Sequence, residues 1–246
     1  GTLRFEEPAC SRDHTERMLG AMGIVFSERV EADGRHILTL DGGQVPIARD
    51  VVVPGDISSA AFFLVAGSIV SGSDLIITGV GLNPSRTGVL DVLGRMGADI
   101  EVLDRTVVSG EPLGDLRVRA ATLSGVEIGG GEIPRLIDEL PVIAVAAALA
   151  EGDTIVRDAA ELRVKESDRI AATVGLLNAM GVDAVERPDG MMISGRAGED
   201  LSGAVVSANG DHRIAMSAAV AGLRGKCETV VQGAGCISTS FPSFPS

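Results

Sequence analysis

The chain has no tryptophan and no tyrosine, and aromatics make up only 2% of its 246 residues. That leaves no material for stacking bases or for an aromatic sugar platform. Positive charge is short as well. Lys and Arg number 21 against 34 Asp and Glu, a formal net charge of -13. This is the wrong sign for a nucleic-acid or anionic-membrane partner, and neither is expected. Cys10, Cys227 and Cys236 are odd in number and scattered, with no CxxC pair and no Cys/His cluster. A structural zinc site or disulfide framework is therefore not expected, and the pattern fits a reducing, cytoplasmic compartment. Apolar runs such as residues 140–150 are too short to span a bilayer. The chain opens at Gly1 without a methionine. This reads as a fragment or processed piece, so targeting signals are not judged from it.

Hydrophobic residues make up 45% of the chain, nearly all of them aliphatic. A Val, Ile, Leu and Ala core suits strands and helices in covered layers, and the length allows one large domain or two ordinary ones. The sequence also repeats itself. Asp56-Ile-Ser-Ser-Ala-Ala opens a small-residue helix pattern, followed by a β-like Leu75-Ile-Ile-Thr78. A turn at 83–88, a helix pattern at Val89, Leu93 and Met96, and Gly97 complete the first copy. A second copy starts at Asp138, passes Thr154-Ile-Val156 and closes at Met180-Gly181; a third starts at Asp211 and passes Thr229-Val-Val231. Residues 11–23 look like the back half of another copy. Each copy reads as helix, strand, helix, strand, with glycine ending the helices. Met22, Met96 and Met180 lie 74 and 84 residues apart, too long for a solenoid repeat. The segment 45–50 reads as a crossing between units, which divides the chain into residues 1–50 and 51–246.

One stretch concentrates the chemistry. Arg163-Val-Lys-Glu-Ser-Asp-Arg169 sets two arginines, a lysine and two carboxylates in seven residues, and Ile170, Val174 and Leu177 follow at helical spacing. The cluster is placed at a helix start, where free N–H groups and a partial positive charge favour an anion. Lys165 and Arg169, four apart, are expected to share a face, with Glu166 between them available for proton transfer. A solvated, salt-bridged helix start explains the charges equally well.

Together with Asp211-His-Arg-Ile-Ala-Met216, Gly55-Asp-Ile-Ser-Ser-Ala-Ala61, Thr239-Ser-Phe-Pro242 and Ser11-Arg-Asp-His-Thr-Glu16, this cluster resembles the enolpyruvyl transferase family, over essentially the whole chain. The resemblance implies an inside-out α/β barrel of repeated αβ units, helices inside and sheets outside. Residues 1–50 would be the C-terminal remnant of one domain and residues 51–246 a nearly complete second domain of three units, with substrates between the domains. The first part of the family's chain and its extreme C-terminal helix would be missing here.

The same resemblance, in its shikimate branch, implies transfer of the enolpyruvyl group of phosphoenolpyruvate to the 5-hydroxyl of shikimate 3-phosphate, releasing phosphate. Neither a cofactor nor a metal is expected to take part, and a monomer is expected. The chemistry needs two proton carriers and several fixed cations, because both substrates are polyanions. By resemblance, Asp138 is the base for the hydroxyl, although an Asp before a helix is also an ordinary cap. Glu166 is the donor to the methylene carbon, which requires burial to hold some of it protonated. Lys165 contacts the shikimate side and supports Asp138. Arg12 meets the shikimate phosphate, and Arg169 and Arg213 hold phosphoenolpyruvate with planar forks suited to its carboxylate and phosphate. His212 and Arg86 are read as structural. Many family members carry a lysine just before the closing Phe-Pro; Ser238-Thr-Ser240 stands there instead. Two other readings remain: a family member acting on UDP-N-acetylglucosamine, and a non-catalytic repeat scaffold. The isolated chain is expected to be inactive.

Overall fold

The structure, a computed structural model, describes residues 1–8 and 11–245, so Cys10 lies outside the described residues. The chain begins with β1 (Thr2–Glu7), α1 (His14–Ala21), β2 (Phe26–Val30) and β3 (His36–Asp41), whose strands form an antiparallel sheet in the order β1-β3-β2. Residues 44–54 then run without helix or strand to α2 (Ile57–Ile69). Next come β4 (Asp74–Gly81), α3 (Gly88–Arg95), β5 (Asp99–Val108) and β6 (Glu111–Arg119), with sheet order β4-β6-β5. The following unit comprises β7 (Glu127–Ile128), α4 (Leu140–Leu149), β8 (Asp153–Val156), α5 (Arg169–Ala179), β9 (Asp183–Arg187) and β10 (Gly190–Ser194), in the order β7-β8-β10-β9. The last elements are β11 (Val205–Ser207), α6 (His212–Gly222) and β12 (Val230–Gln232).

One topology thus recurs. The return strand of a hairpin lies between the hairpin's first strand and the strand before the helix: β3, β6 and β10 are all central. A short parallel partner precedes each inner helix: the Gly55–Val80 bridge, β7 on β8, and β11 on β12. The unit is therefore strand, helix, strand, helix, strand, strand. The sequence reading missed the first and last of these strands; the first is held by only one to three pairings and carries no readable alternation.

Local chemistry sets the helix ends. Asp56, Asp168 and Asp211 each accept a hydrogen bond from a backbone N–H in the first turn of α2, α5 and α6, satisfying a donor the helix leaves free. At the other end, Met22-Gly23, Met96-Gly97 and Met180-Gly181 close α1, α3 and α5. These glycines have φ of 84, 90 and 79°, the left-handed region that a Cβ disfavours.

Helices α2, α4 and α6 pack on one another in the interior, and the sheets lie outside them. All ten residues of α4 are buried, so it has no polar face and is held by its neighbours alone. Its alanines let the other two helices come close. Ala147 is fully buried, and Ala147→Leu should lower stability by about 1–3 kcal/mol through overpacking. A urea midpoint equal to that of the parent would contradict this packing.

By contrast, Leu3 and Phe5 on β1 are 64% and 54% exposed, and with Leu19, Phe26, Leu38 and Leu40 they line an open cavity of about 370 Å³. The start of α1 makes polar contacts with the rest: Asn83 Nδ2 donates to Asp13 Oδ1 at 2.6 Å, and His14 Nδ1 lies 2.7 Å from Glu111 Oε1. No helix of the described residues is long and apolar enough to cross a membrane, and no group of metal-ligating side chains occurs among them.

Candidate active site

The beginnings of the three inner helices meet. Ser58 stands in the first turn of α2, Asp138 and Glu139 in the 3-10 turn leading into α4, and Arg213 in the first turn of α6. Ser58 Oγ donates to Glu139 Oε1, and Arg213 Nη1 donates to the Asp138 carbonyl oxygen at 3.0 Å. Free N–H groups and the positive ends of three helix dipoles are thereby brought to one place. Beside them opens a cleft of about 760 Å³, whose lining includes Ser11, Arg12, Asp138, Lys165 and Glu166.

Asp138 is surrounded by arginines. Arg12 Nη2 donates to its Oδ2 at 2.9 Å and Arg169 Nη1 to its Oδ1 at 3.1 Å, while Arg213 Nη2 lies 3.9 Å from Oδ2. Burial pushes this carboxyl up, but Arg213, Arg12 and Arg169 together outweigh it and leave the group below the usual Asp range. Asp138 does not cap α4, because its side chain is committed to the guanidiniums.

Arg169 connects the carboxylates. Its side chain is 1% exposed. Nε donates to Asp211 Oδ2 at 2.8 Å, Nη1 to Asp138, and Nη2 to Glu166 Oε2. Ser167 Oγ adds a bond to Asp211 Oδ2 at 3.0 Å. Burial raises the Asp211 carboxyl, and the Arg169 hydrogen bond and charge more than offset this, leaving it below its ordinary value. Stability from this pair is therefore complete above the unfolded Asp pKa of about 3.9 and is lost as pH falls through the lower folded value. Asp211→Asn should flatten the acid limb of a stability-against-pH curve. An unchanged acid limb would show that the pair contributes nothing to it.

The expected site residues are close together, with two differences from expectation. Lys165 and Arg169 do not share a helix face, because Asp168 caps α5 and the helix starts only at Arg169. Lys165 lies in extended backbone before it and bonds Glu161, not Asp138. Glu166 is 50% exposed and paired with Arg169, so the burial expected for it is not found. His212 makes no contact that assigns it chemistry; burial and then Arg213 lower its pKa. Asp211 and Glu139 were not singled out as site residues. Asp211 was legible only as a helix cap, and Glu139 was overshadowed by the aspartate before it.

The family model for EPSP synthase (3-phosphoshikimate 1-carboxyvinyltransferase) matches residues 1–246. The chain belongs to the EPSP synthase family. A 3-phosphoshikimate 1-carboxyvinyltransferase of Geobacter sulfurreducens is 55% identical over 244 residues, covering 99% of this chain and 55% of that protein. One from Synechococcus sp. is 56% identical over 244 residues, covering 99% of this chain and 54% of that one. The structure of EPSP synthase from Acinetobacter baumannii superposes with a TM-score of 0.91 at 41% identity, covering 99% of this chain and 55% of that one. The enolpyruvyl transferase NikO from Streptomyces tendae, at 20% identity and a TM-score of 0.70, shares the fold. The inside-out α/β architecture expected from the sequence is thus the architecture of the EPSP synthase family. The chain spans about half the length of the curated relatives it matches.

Proposed function

We propose that this chain carries one side of the active site of a 3-phosphoshikimate 1-carboxyvinyltransferase, which joins the enolpyruvyl group of phosphoenolpyruvate to the 5-hydroxyl of shikimate 3-phosphate and releases phosphate. The observation that carries the reading is the cluster at the inner helix starts: one carboxylate, Asp138, held by three arginines at the edge of an open cleft. In this proposal Arg12 takes the shikimate phosphate. Doing so draws it away from Asp138, whose carboxyl then rises from its depressed value toward that of a useful base.

Lys165 and Glu161 form an exposed pair at the cleft that a substrate anion can open. Phosphoenolpyruvate displaces Glu166 from Arg169 and takes up Arg213. Glu166, released from Arg169, is the proton donor to the methylene carbon. Proton removal, proton delivery and fixed positive charge are then all in reach of one another.

In the same reading, residues 1–50 close one domain and residues 51–246 form most of another. Two features support this division: the repeated topology, and the uncovered apolar face at Leu3 and Phe5. The substrates are small molecules, without nucleic acid or membrane, and the enzyme is a cytoplasmic monomer. The chain alone lacks the other wall of the cleft. It should bind shikimate 3-phosphate weakly and release no phosphate from phosphoenolpyruvate, as followed by a phosphate-release assay on the purified chain. Turnover by the chain alone would refute this division of the site.

A further inference from the structure

Glu139 follows the proposed base and points the other way. Asp138 faces the cleft, whereas the Glu139 side chain is 1% exposed. An ionised carboxylate is costly to bury unless it is paired and hydrogen-bonded, so its partners call for a reason. Its Oε1 accepts from Ser58 Oγ and lies 3.7 Å from both Arg86 Nη2 and Arg213 Nη1. Arg86 also donates to Ser58 Oγ, which completes the group. Each inner helix contributes one member: Ser58 from α2, Glu139 from the start of α4, Arg213 from α6. Burial raises the Glu139 carboxyl, with Ser58, Arg213 and Arg86 pulling the other way.

Arg213 therefore lies between two acceptors. Its Nη1 donates to the Asp138 carbonyl oxygen at 3.0 Å and lies 3.7 Å from Glu139 Oε1, while its Nη2 lies 3.9 Å from the Asp138 carboxylate. Held by the carbonyl oxygen alone, a guanidinium on a flexible stem would sample many positions at a cost in rotamer entropy. With Glu139 also facing Nη1, it presents one geometry.

We propose that Glu139 is a positioning residue, which helps fix the Nη1 end of Arg213 so that its Nη2 end stays presented to phosphoenolpyruvate. The proposal rests on the functional reading above. Ser58 and Arg86 serve it by holding the Glu139 carboxylate in place. Because Arg12, Lys165 and Asp138 on the shikimate side make no side-chain contact with Glu139, its loss should be felt by one substrate and not by the other.

The test compares wild type, Glu139→Gln and Ser58→Ala, each supplied with the part of the Geobacter sulfurreducens relative that lies outside the match. Glu139→Gln keeps the shape and removes the charge. It should raise the KM for phosphoenolpyruvate about tenfold, while the KM for shikimate 3-phosphate stays within about twofold. Ser58→Ala, a milder change that guards against misfolding, should move the same constant in the same direction by less. A merely structural role would shift both KM values together or neither, and either result would overturn the proposal.

A second measurement does not depend on turnover. In the ¹⁵N-labelled chain alone, the Arg213 Nε–Hε signal, assigned by its loss in Arg213→Lys, should show reduced order in Glu139→Gln. If the wild-type assembly releases no phosphate, the activity reading fails, and this signal decides the positioning claim on its own. An Arg213 signal as ordered in the variant as in wild type overturns it.

Discussion

Arg169→Met should destabilise the chain by about 3–5 kcal/mol, the cost of removing one partner from a buried ionic group. The residue touches Asp211, Asp138 and Glu166, and the first of these is itself fully buried. Without the guanidinium, Asp211 keeps only Ser167 Oγ and the Arg213 backbone N–H. Arg169→Lys should recover little, because one ammonium cannot span three carboxylates arranged for a planar fork. Chemical denaturation at neutral pH reads both. A loss below about 1 kcal/mol for the methionine variant would match an exposed ion pair and show that the cluster is not a connected unit. This effect concerns folding and should appear in the chain by itself.

Asp138→Ala should lower turnover of the assembled enzyme by about 10²–10⁴-fold, the range that a positioned proton carrier contributes. The carboxylate is 17% exposed and lies at the cleft edge, so water can reach the arginines it leaves. The fold should survive, and the denaturation midpoint should move far less than for Arg169→Met. Asp138→Asn keeps the size and one of the two hydrogen-bond acceptors while removing the base, and should be as inactive as alanine. An asparagine variant within about tenfold of wild type would assign proton removal to another group.

Much of this architecture was legible in the sequence. The three Asp-led, small-residue segments gave the inner helices, since a helix buried on all sides can carry no polar stripe. The Met-Gly pairs at 22, 96 and 180 gave three helix ends through a φ that glycine adopts freely. The return strands were missed although their turns carried a signal: Asp33-Gly34 and Ser109-Gly110 stand between paired strands, and Asp189 precedes Gly190 at the start of β10. The parallel strand before each inner helix left no signal, being held by one to three pairings.

At the site, the residue list was recoverable while the pairings were not. Charge spacing placed Lys165 beside Arg169, but the Asp168 cap moved the helix start and turned the lysine toward Glu161. Asp211 and Glu139 escaped notice because their contacts are with residues 42 and 81 positions away, Arg169 and Ser58. No local period reports such contacts.

The most direct test of the account is phosphate release from phosphoenolpyruvate by this chain assembled with the missing portion of the Geobacter sulfurreducens relative. Shikimate 3-phosphate and UDP-N-acetylglucosamine are offered in turn, with Asp138→Ala alongside. Release with shikimate 3-phosphate alone, abolished by the substitution, is the predicted result. Release with the nucleotide sugar instead, or no release with either while the assembly remains folded, would contradict it.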